Sequence, residues 1–376
     1  MNYRILLLGG GTGGHVFPLI AVAQSLRIQA VNQGVDLDLR VMGEGQFLSH
    51  SANQNGLRFY PVASAKWRRY FSLLNFLDIL KIPLITVQSL IYLWLIMPDV
   101  IFSKGGHAAL IPALVAKILM IPIVTHESDA VPGLANKIIG RFSEKVFISF
   151  DSAGPYFKAD KTRLVGAPIR REFLETNLTP QEAKQKFKLG LNLPVVFVMG
   201  GSQGAQRINS TILKIIVPLT QKFSVIHQVG GSNKEEVSGR LEALKNEVTQ
   251  EQAKAISENY RLVGFLDPQA MAEAYQASDI VITRAGAGSL FEIANLGRPM
   301  IVVPLPNSAG DHQRANARAI SRFGAIVLEE SNFTPHVLLD QLEGALENSE
   351  IISAKIKRFA NPKAGEIIAR YLLSAV

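Results

Sequence analysis

Twice in this chain a short apolar run ends in a cluster of glycines and passes at once into an amphipathic stretch. The first cluster is Gly9-Gly10-Gly11-Thr12-Gly13-Gly14-His15, after residues 4–8. The second is Gly200-Gly201-Ser202-Gln203-Gly204-Ala205, after residues 194–199. A buried strand that turns through glycines into a helix is one step of a parallel sheet, because parallel strands need a crossover between them. One such opening near the start and another at mid-chain predict two domains. The length agrees, since 376 residues exceed what a single hydrophobic core usually organises.

Further apolar runs continue the pattern. Residues 36–42, 100–102, 123–125 and 145–148 are the remaining strand candidates of the first half. Residues 224–227, 260–263, 280–283, 300–303 and 325–327 follow in the second. The fold class expected is α/β, with two Rossmann-like doubly wound parallel-sheet domains facing across a cleft. In such sheets ligands bind beyond the carboxyl ends of the strands. The expected domains are 1–162 and 163–350, with Gly166-Ala167-Pro168-Ile169-Arg170 at the hinge. A single helix over about 351–373 is expected to pack back on the first domain.

Composition narrows the chemistry. Cysteine is absent, which excludes a disulfide framework, a thiolate metal site and a cysteine nucleophile. The formal charge of +8 favours anionic ligands such as nucleotides, phosphates or an acidic membrane. The excess is spread over both halves without a dense Lys/Arg block, so nucleic acid is not an expected partner. Residues 4–8 read as a first core strand, being too short an apolar stretch for a leader peptide.

Glycines permit close backbone approach, and a helix start offers unpaired N–H groups to an anion. Both loops therefore suit phosphorylated ligands. Gly9, Gly11 and Gly14, with Glu44 at the end of the second strand, also match a dinucleotide fingerprint, which leaves an NAD-dependent oxidoreductase as an alternative. A third segment, Arg284-Ala285-Gly286-Ala287-Gly288-Ser289-Leu290-Phe291-Glu292, follows the strand at 280–283. Glu292 there can accept from both ribose hydroxyls, while the small residues leave room for a diphosphate. The polar loop 304–313 suits sugar hydroxyls. Asp36 and Asp38 match the D-x-D of metal-dependent glycosyltransferases, but Leu37, Leu39 and Val41 share the opposite face. The carboxylates are thus read as a solvated face. No metal site and no cofactor is expected.

Taken in order, these motifs resemble one family. They are Gly9 to His15, Ser103-Lys104-Gly105-Gly106, His126-Glu127-Ser128-Asp129, Pro132-Gly133-Leu134-Ala135-Asn136-Lys137, Gly200 to Ala205, and 284–292 followed by Asp311-His312-Gln313. The chain is similar to the undecaprenyl-diphospho-muramoylpentapeptide β-N-acetylglucosaminyltransferases of glycosyltransferase family 28. The resemblance implies a GT-B fold and an enzyme of peptidoglycan synthesis. Its reaction would be inverting transfer of N-acetylglucosamine from UDP-N-acetylglucosamine to lipid I, giving lipid II. It places donor-binding positions on Thr12, Gly13, Gly14, Asp129, Arg170, Ser202, Leu266, Ala287, Gly288, Ser289, Leu290, Phe291, Glu292 and Gln313. It puts the acceptor diphosphate on Gly11, Thr12, Gly13, Gly14 and His15. Two departures from the family pattern are His107, where an aromatic residue is common, and Asp129, where many relatives have asparagine.

Such a transfer needs a base near the acceptor hydroxyl. His15, at the end of a glycine loop, and Glu127, on a loop after the strand at 123–125, are the two candidates. The fold also admits rivals: a glycosyltransferase with another acceptor, or a UDP-N-acetylglucosamine 2-epimerase. Residues 66–77 mix cations with aromatic and aliphatic groups. Lys66, Trp67, Arg68, Arg69, Phe71 and Leu74 are the expected contacts with an anionic membrane surface. The uncharged run 84–97 is too short to span a bilayer and is expected to lie buried against the first sheet. The expected location is peripheral, on the cytoplasmic face of the bacterial inner membrane.

Overall fold

A computed structural model of the chain describes residues 2–11, 13–65, 78–175, 178–201 and 204–375. It folds as two compact units, Met1–Arg171 with Asn361–Val376, and Glu172–Ala360. The first unit holds β1 (Asn2–Gly10), β2 (Asp36–Glu44), β3 (Arg58–Pro61), β4 (Val100–Ser103), β5 (Ile123–Glu127), β6 (Lys145–Ile148) and β7 (Thr162–Leu164). All pair in parallel, in the order β3-β2-β1-β4-β5-β6-β7. The second unit holds β8 (Val195–Met199), β9 (Ser224–Gln228), β10 (Tyr260–Val263), β11 (Ile280–Thr283), β12 (Met300–Val302) and β13 (Ile326–Val327). These too are parallel, in the order β10-β9-β8-β11-β12-β13.

All the expected strands form. Two others, β3 and β7, lie at the edges of the first sheet. Their burial is slight, with only Tyr60 buried in β3 and no residue of β7 fully buried. An edge strand needs no apolar run, so neither left a hydrophobic signal. β7 carries the chain on into the first unit, where the amides of Val165 and Gly166 donate to the Ile148 carbonyl at 3.0 and 3.3 Å. The chain therefore leaves this unit only after Arg171, later than the boundary expected at 162–163.

The single C-terminal helix expected over 351–373 is in fact two, Ser349–Lys357 and Ala364–Ser374. Pro362 lies between them, and a proline disfavours helical geometry in the residue before it. The first belongs to the second unit. The last packs on the first unit, where Ile368, Ala369, Leu372 and Leu373 join the core beneath Ile5, Leu7 and Leu19. Gly365 makes that approach close, since a Cβ there would sit 2.5 Å from Ser25 Oγ.

The helix Ile82–Ile96 corrects a third expectation. Ile85, Ser89, Leu93 and Ile96 face inward, but Leu84, Val87, Leu90, Ile91, Trp94 and Leu95 are exposed. The run is apolar on every side because only one side meets the sheet. Counted from Asp78 the helix has 19 residues, long and apolar enough to cross a membrane by composition alone, with 22% of its apolar window buried.

Each sheet reverses its strand order once, at β1/β4 in the first unit and β8/β11 in the second. At such a switch point the crossover helices diverge to opposite faces and leave a crevice beyond the strand ends. The loops entering those crevices follow β1, β4, β8 and β11. All four are glycine-rich segments singled out above.

Candidate active site

At the first switch point, β1 ends at Gly10 and the helix Gly13–Gln33 begins almost at once. His15 lies in its first turn, half-buried, with Nδ1 3.3 Å from the carbonyl oxygen of Lys104. A carbonyl can only accept, so Nδ1 carries the proton and Nε2 keeps its lone pair. Burial, reinforced by the Lys104 charge, lowers the imidazole from 6.5 to about 4, against the opposing pull of Asp129. The ring is neutral at pH 7. Thr12, in the same loop, lies outside the described residues.

β4 delivers Lys104, which is 1% exposed, and the turn Gly105-Gly106 follows. Gly105 has φ +76° and a Cβ there would fall 2.0 Å from Asn136 Oδ1, so only glycine fits. The Lys104 ammonium donates to the His126 carbonyl at 3.2 Å. β5 is buried along its whole length yet ends in His126 and Glu127, polar groups where an apolar run would be expected. His126 Nε2 lies 3.1 Å from the Gly166 carbonyl, and burial holds the ring well below 6.5 and neutral.

The Glu127 carboxylate organises the loop beyond it. Oε1 accepts from the Asp129 amide at 2.8 Å. Oε2 accepts from the Gly133 amide at 3.2 Å and from Asn136 Nδ2 at 2.9 Å. Burial raises its proton affinity, while the Lys104 ammonium opposes the shift. The side chain is thus committed to its own loop on both oxygens. Nearby, Glu44 accepts from Ser64 Oγ and pairs with His107 Nε2 at 2.9 Å, which gives the unusual His107 a partner. Arg170 belongs to this unit, with its guanidinium 3.8 Å from the centre of the Phe17 ring. Asp38 is held by Arg40 at 2.7 Å, away from these loops.

The second switch point is furnished differently. β8 runs into Gly200-Gly201, and Gly204, with φ +76°, lies so close to β9 that a Cβ would sit 2.1 Å from the Val229 carbonyl. The same carbonyl accepts from Asn209 Nδ2 and Asn233 Nδ2 at 3.1 and 2.9 Å. Asn209 is fixed in turn by buried His227, whose other ring nitrogen meets Tyr260 Oη at 2.6 Å. Ser202 lies outside the described residues.

After β11, Asn316 Nδ2 donates to the Ala285 carbonyl at 3.0 Å, and Arg284 is locked by Glu330 at 2.9 Å. The helix Ala287–Asn295 then starts at Gly286. A Cβ added at Gly286 or Gly288 would meet nothing within 4 Å, and neither has positive φ. The fold does not require glycine at either place; open space stands over the helix start. Ala287, Leu290 and Phe291 are buried below it, Ser289 is half-buried, and Glu292 is buried one turn on. Gln313 Oε1 accepts from the Leu305 amide at 2.9 Å and pins the loop after β12. Leu266 is buried on the loop after β10.

Sequence reasoning missed Lys104 and Asn136, both quoted within motifs but given no part. A lysine one serine past an apolar run and before two glycines was the available signal.

Two parallel-sheet α/β units, each with glycine loops at its switch point, form a GT-B fold. Residues 5–148 match the glycosyltransferase family 28 N-terminal domain, and 195–371 match its C-terminal domain. The chain belongs to glycosyltransferase family 28. Relatives in Legionella pneumophila (36% identical over 95% of this chain and 93% of theirs) and Bacillus cereus (31% over 99% of each) carry one enzyme name. So does that of Treponema denticola, 34% identical over 85% of this chain and 82% of the relative. The name is UDP-N-acetylglucosamine–N-acetylmuramyl-(pentapeptide) pyrophosphoryl-undecaprenol N-acetylglucosamine transferase, numbered 2 in B. cereus. The crystal structure of Acinetobacter baumannii MurG matches with a TM-score of 0.72 at 25% identity, over 99% of each chain. A UDP-GlcNAc 2-epimerase from Neisseria meningitidis matches at 0.70 over the full length of both, but at 13% identity it shares the fold alone.

Proposed function

We propose that this enzyme transfers N-acetylglucosamine from UDP-N-acetylglucosamine to undecaprenyl-diphospho-N-acetylmuramoyl-pentapeptide, forming lipid II with inversion at the anomeric carbon. The observation that carries the reading is the contrast between the two switch points: one holds a neutral, half-buried histidine, the other an open helix start. The family and its full-length relatives supply the substrate class. The 2-epimerase alternative shares the architecture without that identity, and the oxidoreductase alternative loses its support once the family is known.

In this reading the second unit grips the nucleotide. The amides at the start of the helix Ala287–Asn295 face the diphosphate, Glu292 accepts from the ribose, and the loops of Ser202, Leu266 and Gln313 enclose the rest. The first unit holds the acceptor diphosphate on Gly11 to Gly14. His15 Nε2 takes the proton as the acceptor oxygen attacks the anomeric carbon, the bond from that carbon to UDP breaks, and UDP leaves as the anion. An acceptor diphosphate beside His15 raises its proton affinity just when a base is needed. Glu127 shapes the 129–136 loop instead, and the resemblance to the family assigns Asp129 and Arg170 to the donor. Isothermal calorimetry with UDP, followed by assay with lipid I and with diacylglycerol, tests the proposal. Tight UDP binding and transfer to lipid I alone is the expected result; a protein that ignores UDP would end it.

The exposed side of the helix Ile82–Ile96 supports a peripheral site on the membrane that carries the acceptor. Residues 66–77, the segment expected to meet lipid, lie outside the described residues. Trp67 and Trp94 are the only tryptophans, so a Trp67→Phe variant reports on Trp94 alone. Its emission should shift to the blue on anionic vesicles, and Leu90→Glu should weaken sedimentation with them. Unchanged emission would remove this helix from the contact.

A further inference from the structure

Among the described residues Lys104 is the only buried lysine, and nothing in the mechanism above uses its side chain. A buried ammonium is costly unless paired, so its surroundings carry information. Its stem lies under the first glycine loop, where a Cβ on Gly9 would sit 3.4 Å from Lys104 Cβ. Its main-chain oxygen faces His15 Nδ1, and its Nζ donates to the His126 carbonyl. Burial lowers the proton affinity of this amine, and the Glu127 and Asp129 carboxylates oppose that shift and favour its charge. One residue therefore meets His15 through its main chain and the end of β5 through its ammonium, with the carboxylates of the loop beyond acting on it electrostatically.

Asp129 puts a second carboxylate two residues from Glu127. We propose that Lys104 is the counter-ion of this carboxylate pair and, through His15, a positioning residue for the transfer: its buried charge steadies the 127–129 loop and disfavours a second cation on the His15 ring. The proposal rests on His15 being the base. Three charged or titratable groups act on His15 from the elements packed against it: Lys104 from the end of β4, Asp129 from the loop after β5, and His107 from the start of the helix His107–Ile118. Lys104 and His107 disfavour the imidazolium, whereas Asp129 favours it. Lys104 and Asp129 should therefore act on His15 with opposite sign.

The test follows the His15 ring by NMR through a pH titration of the whole protein, with the resonance assigned by its loss in His15→Gln. Lys104→Met should raise the His15 midpoint by about one pH unit or more. Asp129→Asn added to that variant should bring the midpoint back toward the parent value. The acid limb of kcat/KM should move with the midpoint in both variants, a response that lost packing alone would not give. An unmoved midpoint in Lys104→Met overturns the proposal. If Lys104→Met does not fold, Asp129→Asn alone decides, since its midpoint must move down; no movement or a rise overturns the proposal. The titration needs no turnover, so a protein inert toward UDP-N-acetylglucosamine and lipid I would defeat the functional reading while leaving this charge coupling measurable.

Discussion

The two switch points share a topology and differ in what they bury. Beyond β1, β4 and β5 the first unit buries ionisable groups: Lys104, His126 and Glu127, with His15 half-covered above them. Beyond β8 and β11 the second unit offers glycines, main-chain amides and one buried carboxylate, Glu292. Burial moves proton affinities and so tunes a site for proton transfer. Glycines over an open helix start leave room for an anion and change no proton affinity. In the function proposed above, the same βα scaffold serves to move a proton in one unit and to grip a nucleotide in the other.

The contrast breaks most easily at His15. His15→Ala should lower kcat by about 10²–10⁴-fold with UDP affinity nearly unchanged, measured by steady-state assay and calorimetry. A larger loss in Glu127→Gln than in His15→Ala would hand the base role to the carboxylate. Next comes the grip. Gly288→Val fills the space over the helix start, so UDP binding should weaken by at least about tenfold, roughly 1.4 kcal/mol. The melting temperature should change little, because beyond its own stretch of helix nothing lies within 4 Å of the added Cβ. A large drop in melting temperature would show that glycine serves the fold there.

The smallest effect concerns histidines shielded from water, which both units contain. Buried His227 is lowered to about 3 and half-buried His15 to about 4, each chiefly by loss of solvent. Their unfolded values lie near 6.5. Between those limits the unfolded chain binds more protons than the folded one, so their contribution is complete above pH 6.5 and is lost as pH falls toward 4 and then 3. His227→Gln should therefore be less stable at pH 7, by about 1–3 kcal/mol for the broken buried hydrogen bonds. It should also lose stability less steeply between pH 6.5 and 4, as read by thermal melts. An unchanged acid slope would show that His227 is not among the groups that resist protonation.

Much of this organisation was legible in local sequence. The interior strands announced themselves as apolar runs, because a strand covered on both faces has no polar side to show. β3 and β7 did not, being edge strands with little to bury. The glycine loops stood out for a comparable reason: Gly105 and Gly204 have positive φ and no room for a Cβ, so the backbone itself demanded the residue. The helix Ile82–Ile96 misled, since hydrophobicity tells that a surface avoids water but not what covers it.

Sequence alone determined the alternation of strand and helix, the two-domain plan and the strand ends at which chemistry gathers, all consequences of periodicity and backbone geometry over a few residues. Tertiary structure decided which strand ends became neighbours, and with that the meeting of His15 with Lys104 across 89 residues of chain. It also decided which nitrogen of His15 stays basic and which side of the helix Ile82–Ile96 remains uncovered. Proton affinity and exposure depend on everything packed around a group, and no short stretch of sequence contains that information.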